Sequence, residues 1–168
     1  MKIGFIGLGA MGAPMARHLA AKGLLAVVGN RSHAKAEALA AELGVAAGAD
    51  ASGFAPCVAV MLCVSADADV LANARALAGV LRPGAIVVDH STVARATAIE
   101  AQEILATGGI GFIDAPVSGG VEGARNGRLS VMCGADPAAL ETVRPALECY
   151  GARVSRMGPV GSGQATKA

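Results

Sequence analysis

The stretch from Lys2 to Gly12, KIGFIGLGAMG, is an apolar run that ends in the spacing Gly7-x-Gly9-x-x-Gly12 and passes into a helix-compatible segment, APMARHLA, from Ala13 to Ala20. Strand, glycine turn and helix in that order make the spacing meaningful. In such a unit Gly7 lets the chain turn, Gly9 lets the backbone approach a pyrophosphate, and Gly12 lets the helix pack close to the strand. Leu8, Ala10 and Met11 complete the loop, whose free helix N–H groups face phosphates. The expectation is dinucleotide binding; the alternative is a glycine turn that serves the fold alone.

Strand-like apolar runs at 2–6, 25–29, 58–62, 85–89, 110–114, 129–133 and 152–156 alternate with helix-compatible segments at 10–22, 33–43, 67–79, 93–107 and 137–148. Such alternation is the mark of parallel βαβ units. The expected fold is α/β: a Rossmann-like, doubly wound, mainly parallel sheet with helices on both faces. Met11, Met15 and Leu19 have the spacing of a buried helical face. No repeat or linker interrupts the order before Met157–Gln164, a Gly/Pro-punctuated loop in which Ser162 is placed to cap a further helix through Lys167. Residues 1–160 are therefore read as one nucleotide-binding domain, and 161–168 as the start of a helix leading out of it.

A chain of 168 residues that is 54% hydrophobic and 16% charged has ample apolar surface to bury, which excludes a disordered tail. Alanine supplies 38 of the residues and the aromatics are only Phe5, Phe54, Phe112 and Tyr150, so helices can approach the sheet closely. A net charge of +1 gives no reason to expect a nucleic-acid or anionic-membrane partner. Cys57, Cys63, Cys133 and Cys149 form no CxxC pair, and no histidine is spaced to complete a zinc site. They read as reduced, structural thiols, no metal is expected, and a cytoplasmic setting fits. The glycines of the first motif break any secretion signal, and no apolar run reaches the roughly 18 residues of a membrane helix.

Three further segments carry chemistry. The second strand ends at Asn30-Arg31-Ser32, where an NAD-binding unit usually has a carboxylate for the adenosine ribose. Asn30 removes the repulsion toward a 2′-phosphate, Arg31 offers a guanidinium suited to that dianion and Ser32 a hydroxyl, so NADP is favoured with NAD possible. Asp89-His90-Ser91-Thr92 follows an apolar run at a strand end, where ligand crevices form; Ser91 or Thr92 could equally be a plain helix cap, and His90 reads as exposed or structural rather than catalytic. Asp114-Ala-Pro-Val-Ser118-Gly119-Gly120 puts a hydroxyl and side-chain-free amides at a strand end, which is either an anion cradle for a substrate carboxylate or an ordinary turn.

Taken together, GFIGLGAMGAPMARHL, DHST, DAPVSGG and GSGQATKA resemble, in order and spacing, the β-hydroxyacid dehydrogenase family, which includes 3-hydroxyisobutyrate dehydrogenases and tartronate, glyoxylate or succinic semialdehyde reductases. The resemblance covers the whole chain. It implies an NADP-preferring oxidoreductase that moves hydride between nicotinamide and a small 3-hydroxy acid or semialdehyde acid. It further implies that Cys63, Val64 and Ser65 lie along the path from adenosine to nicotinamide, Thr92 near the nicotinamide ribose, Ser118, Gly119 and Gly120 at the substrate carboxylate, and Lys167 as the catalytic lysine. In the family an all-helical domain follows and supplies the other cleft wall and usually the oligomer contact, so a homo-oligomer is expected of the longer protein. With the chain ending at Ala168, one residue past the lysine, little or no turnover is expected of it alone. The alternatives are a non-catalytic NADP-binding module that acts with a partner, or a phosphogluconate-dehydrogenase-like or imine-reductase-like enzyme.

Overall fold

Six parallel strands carry the architecture in the computed structural model, which describes residues 1–168. The chain runs β1 (Ile3–Ile6), α1 (Gly12–Ala21), β2 (Leu25–Gly29), α2 (His33–Leu43), β3 (Ala46–Ala47), a 3₁₀ turn (Ala51–Phe54), β4 (Ala59–Leu62), α3 (Asp67–Ala78), β5 (Ile86–Asp89), α4 (Arg95–Ala106) and β6 (Gly111–Asp114). It continues through β7 (Val117–Ser118), α5 (Gly120–Asn126), β8 (Leu129–Gly134), α6 (Pro137–Leu147), β9 (Gly151–Gly158) and α7 (Ser162–Lys167). The sheet has nine strands in the order β3-β2-β1-β4-β5-β6-β8-β7, with β9 on β8. From β1 the chain winds outward to β3, returns to β4 and winds the other way, so a crevice opens between the carboxyl ends of β1 and β4. Strands β8 and β9 run against the rest, β8 pairing antiparallel with β6 and β7 and parallel with β9.

The alternation of side chains along each strand feeds two cores. Ala59, Met61, Ile86 and Val88 face one way and pack with Met15 and Leu19 of α1, Leu39 of α2 and Leu140 and Val143 of α6. Val60, Leu62 and Val87 face the other and pack with Val70 and Leu77 of α3 and Leu105 of α4. Ala36, Ala40, Ala74, Ala98 and Ala101 are all buried on the sheet-facing sides of their helices, which is how an alanine-rich chain with few aromatics fills both layers. Met15 and Leu19 are fully buried, while Met11 is half-buried at the start of α1.

Four elements exceed what the sequence suggests: β3 and β7, the turn at Ala51–Phe54, and α5. Ser162 is also not a cap. The α7 N-terminus is entered through Gly161 in a left-handed conformation and has no side-chain cap of its own, because Asp114 of β6 takes its backbone donors instead. No helix is long and apolar enough to cross a membrane.

Candidate active site

The glycine loop is built by two close approaches. Gly7 has φ +101°, and a Cβ there would lie 2.1 Å from the Cys63 carbonyl oxygen; a Cβ on Gly12 would lie 1.8 Å from the carbonyl oxygen of Gly7. Only hydrogen at both positions lets β1, α1 and the end of β4 meet. Asn30 fixes the loop from the second strand: the Leu8 N–H donates to its Oδ1 at 2.9 Å, and its Nδ2 donates to the Ser32 carbonyl. The N–H groups of Gly9, Ala10 and Met11 find no acceptor in the chain, and a Cβ on Gly9 would meet open space. Unpaired donors ahead of a helix, with room beside them, fit a pyrophosphate.

Two cavities lie along the carboxyl edge of the sheet. The first, about 490 Å³, runs from Gly7, Leu8 and Gly9 past Asn30 and Arg31 to Lys35 and Asp69. The second, about 470 Å³, is lined by Met11, Thr92, Ser118, Gly119, Gly120 and Lys167 among others. Cys63, Val64 and Ser65 line both, so the two cavities are neighbours on either side of this segment. The sequence-derived residues thus come together on one edge, with three exceptions. Ala10 lies on the exposed turn, Gly12 is buried beneath it, and Ser32 is exposed at the start of α2, away from either wall. Burial pushes the Cys63 thiol up to about 11, so it stays a neutral wall residue at ordinary pH.

Lys167 reaches the second cavity from α7. Its Nζ donates to the Val117 carbonyl at 2.6 Å and to Thr92 Oγ1 at 3.1 Å. An ammonium has three donors, so one remains for a ligand. The helix is held by buried groups: Asp114 Oδ1 accepts from the Gly161 N–H at 2.7 Å and Oδ2 from the Gln164 N–H at 2.9 Å. The Gln164 side chain donates to the Ser91 carbonyl at 2.7 Å and accepts the Val93 N–H at 3.2 Å, so α7 and the Ser91–Val93 segment are locked together. Ser91 and Thr92 are not helix caps. The Ser91 hydroxyl accepts the Val64 N–H, and the start of α4 is held by Asp67 Oδ2, which accepts from the Ala94 N–H and the Thr97 hydroxyl.

His90 is structural, and buried rather than exposed. Its Nδ1–H must be the donor to the Ala115 carbonyl at 2.7 Å, which leaves Nε2 to accept from the Tyr150 hydroxyl at 2.6 Å. Burial pushes the imidazole down to about 4, keeping it neutral. This pair braces the 115–118 segment, whose Val117 carbonyl holds Lys167. Beyond it, Ser118, Gly119 and Gly120 are exposed, and the Gly119 and Gly120 N–H groups have no acceptor in the chain. Asp114, Gln164 and Tyr150 are the positioning residues that sequence reasoning assigned no role. Only the placement of an acid at the end of an apolar run hinted at the first.

Comparison with known proteins places this geometry. Residues 2–158 match the family model for the NAD binding domain of 6-phosphogluconate dehydrogenase. An NAD-dependent L-serine dehydrogenase of Pseudomonas aeruginosa is 38% identical over 169 residues, 99% of this chain and 57% of that protein. Among solved structures, Mycobacterium tuberculosis 3-hydroxyisobutyrate dehydrogenase with L-serine superposes with a TM-score of 0.94 at 32% identity, over 99% of this chain and 57% of the other. Psf3, solved with NADP+ and 2-OPP, superposes with a TM-score of 0.90 at 36% identity, over 98% of this chain and 60% of the other. The chain spans little more than half the length of the curated relatives it matches.

Proposed function

The chain belongs to the family of NAD-binding domains of 6-phosphogluconate dehydrogenase, and from that premise we propose that it is the nucleotide-binding part of an NADP-preferring oxidoreductase acting on a small 3-hydroxy acid or semialdehyde acid. The observation that carries this reading is that the two cavities lie side by side against the Cys63–Ser65 segment: unpaired glycine-loop donors line one, and Lys167 with the Gly119–Gly120 amides lines the other. Residues 1–160 form the cofactor domain, and 161–168 begin the helix that leads toward the rest of a longer protein.

In this reading Gly7, Leu8, Gly9, Ala10, Met11 and Gly12 form the pyrophosphate loop, and Asn30 and Arg31 flank the adenosine ribose, with Ser32 next in the chain but outside the cavity wall. Cys63, Val64 and Ser65 are the wall between the two halves, and Thr92 stands by the nicotinamide ribose. The nicotinamide supplies or accepts a hydride. Ser118, Gly119 and Gly120 hold the substrate carboxylate by hydroxyl and amide donors. Lys167 gives its remaining N–H to the substrate oxygen, donating a proton as an alkoxide forms and taking it back in reverse. A carboxylate with a hydroxyl on its β carbon, as in the L-serine named for two relatives, offers an oxygen to each of these two sets of donors.

Asn30 carries the cofactor preference. Its side chain is engaged with the glycine loop and brings no negative charge to the ribose, and Arg31 and Lys35 stand beside it. Calorimetric titration should show NADPH binding at least tenfold tighter than NADH, about 1.4 kcal/mol. Equal affinities, or tighter NADH, would contradict the preference while leaving dinucleotide binding intact.

A further inference from the structure

The mouth of the first cavity carries charges of both signs: Arg31 and Lys35 stand there with Asp50 and Asp69. The Asp50 carboxylate is turned into its own loop, where it accepts the Ser52 N–H and hydroxyl. Asp69 instead reaches across. Its Oδ1 accepts from Arg31 Nη2 in an ion pair that joins the end of β2 to α3. The partners are unequal, since the Asp69 side chain is 24% exposed and that of Arg31 83%. Asp69 sits in the first turn of α3, where the helix N-terminus favours a carboxylate, and its backbone carbonyl is held by Asn73. Arg31 makes no other hydrogen bond in the chain, so the acid is the anchored partner and the guanidinium the movable one.

We propose that Asp69 is a specificity-determining residue, which competes with a ribose 2′-phosphate for Arg31 and so narrows the chain's preference for NADP over NAD. The inference rests on the reading of the first cavity as the adenosine end of the site. A nucleotide with a free 2′-hydroxyl leaves the pair intact. One with a 2′-phosphate must either draw Arg31 away from Asp69 or share it, and sharing brings a dianion and a carboxylate to the same guanidinium. Either way the cost falls on the phosphorylated nucleotide alone.

The test uses adenosine 2′,5′-bisphosphate and 5′-AMP, which differ only by the 2′-phosphate and reach only the adenosine end. Titrated into the 168-residue chain by calorimetry, they give a preference as the ratio of two dissociation constants. Asp69→Asn should raise the preference for the bisphosphate roughly fivefold at low salt, the weight of one partly exposed ion pair, and less as salt is added. Arg31→Gln should lower it, and Asp69→Asn should add little in that background. An unchanged or smaller preference in Asp69→Asn, with Arg31→Gln still lowering it, overturns the competition but keeps the phosphate site. No effect from either substitution overturns the assignment of Arg31 as well. Failure of the chain to bind either nucleotide overturns both.

Discussion

Replacing Asp114 by alanine should lower the stability of the chain by about 3 kcal/mol, because two buried N–H groups lose a charged acceptor at once and each such loss costs about 1–3 kcal/mol. Asp114 is fully buried, and its two oxygens hold the Gly161 and Gln164 amides at 2.7 and 2.9 Å. The packing leaves little room for repair. A Cβ on Gly163 would lie 2.3 Å from the Met132 carbonyl oxygen and 3.0 Å from Asp114 Oδ2, so α7 rests directly on the backbone of β8. For a chain of this size the change corresponds to a fall in Tm of about 6–12 °C. Asp114→Asn keeps one acceptor oxygen and should lose about half as much. Amide exchange at Gly161 and Gln164 should quicken in the alanine variant, because the helix that carries Lys167 is the part released. A Tm within 2 °C or so of the parent would contradict the role given to this carboxylate.

The second large effect concerns pH. Asp89 is fully buried, its Oδ1 accepts the Ser91 N–H at 3.0 Å, and its Oδ2 has no partner. Burial, reinforced by the charges of Asp114 and Asp67, pushes the carboxyl up from 3.8 to about 7, against the pull of Ser91. Between those values the folded chain holds a proton that the unfolded chain has released. Asp89 therefore favours folding below the lower value, and that contribution is lost as pH rises through 7. His90 works in the opposite direction: its value falls from 6.5 to about 4, so it costs stability as pH falls from 6.5 through 4. The two offset one another in the acid range. Asp89→Asn removes one of them, so its stability relative to the parent should improve between pH 5 and pH 8 by on the order of 3 kcal/mol. Thermal melts of both chains across that range would show the two Tm curves converging or crossing. Parallel curves would mean that Asp89 titrates at its ordinary value.

How far the sequence reached depends on the range of the interaction involved. The first βαβ unit was legible because each instruction is local: a continuous apolar run in β1, glycines at fixed spacing and a helical stripe through Met15 and Leu19. Two-residue strands such as β3 and β7 carry no period to detect, and α5 opens on Gly120 against its own propensity. The helix caps misled for a related reason. Ser162, Ser91 and Thr92 have the composition of caps, yet the donors at the starts of α7 and α4 are taken by Asp114, 47 residues from Gly161, and Asp67, 27 residues from Ala94. Capping by a distant carboxylate leaves no trace in the local pattern. The Tyr150–His90 pair and the Arg31–Asp69 bridge, 60 and 38 residues apart, were hidden in the same way. By contrast, the candidate site residues converge because most lie at strand ends of one parallel sheet, an arrangement that the strand–helix alternation, the glycine motif and the family resemblance together implied.

Whether the glycine loop and the first cavity hold a dinucleotide is tested most directly by titrating NADPH into the parent chain and into Gly9→Asp. No atom lies within 4 Å of a Cβ at Gly9, so the variant should fold and melt like the parent, while its carboxylate meets the unpaired amides where a pyrophosphate would sit. The parent should bind one NADPH per chain, and the heat of binding should vanish in the variant. Equal binding by both chains, or none by the parent, would contradict the account.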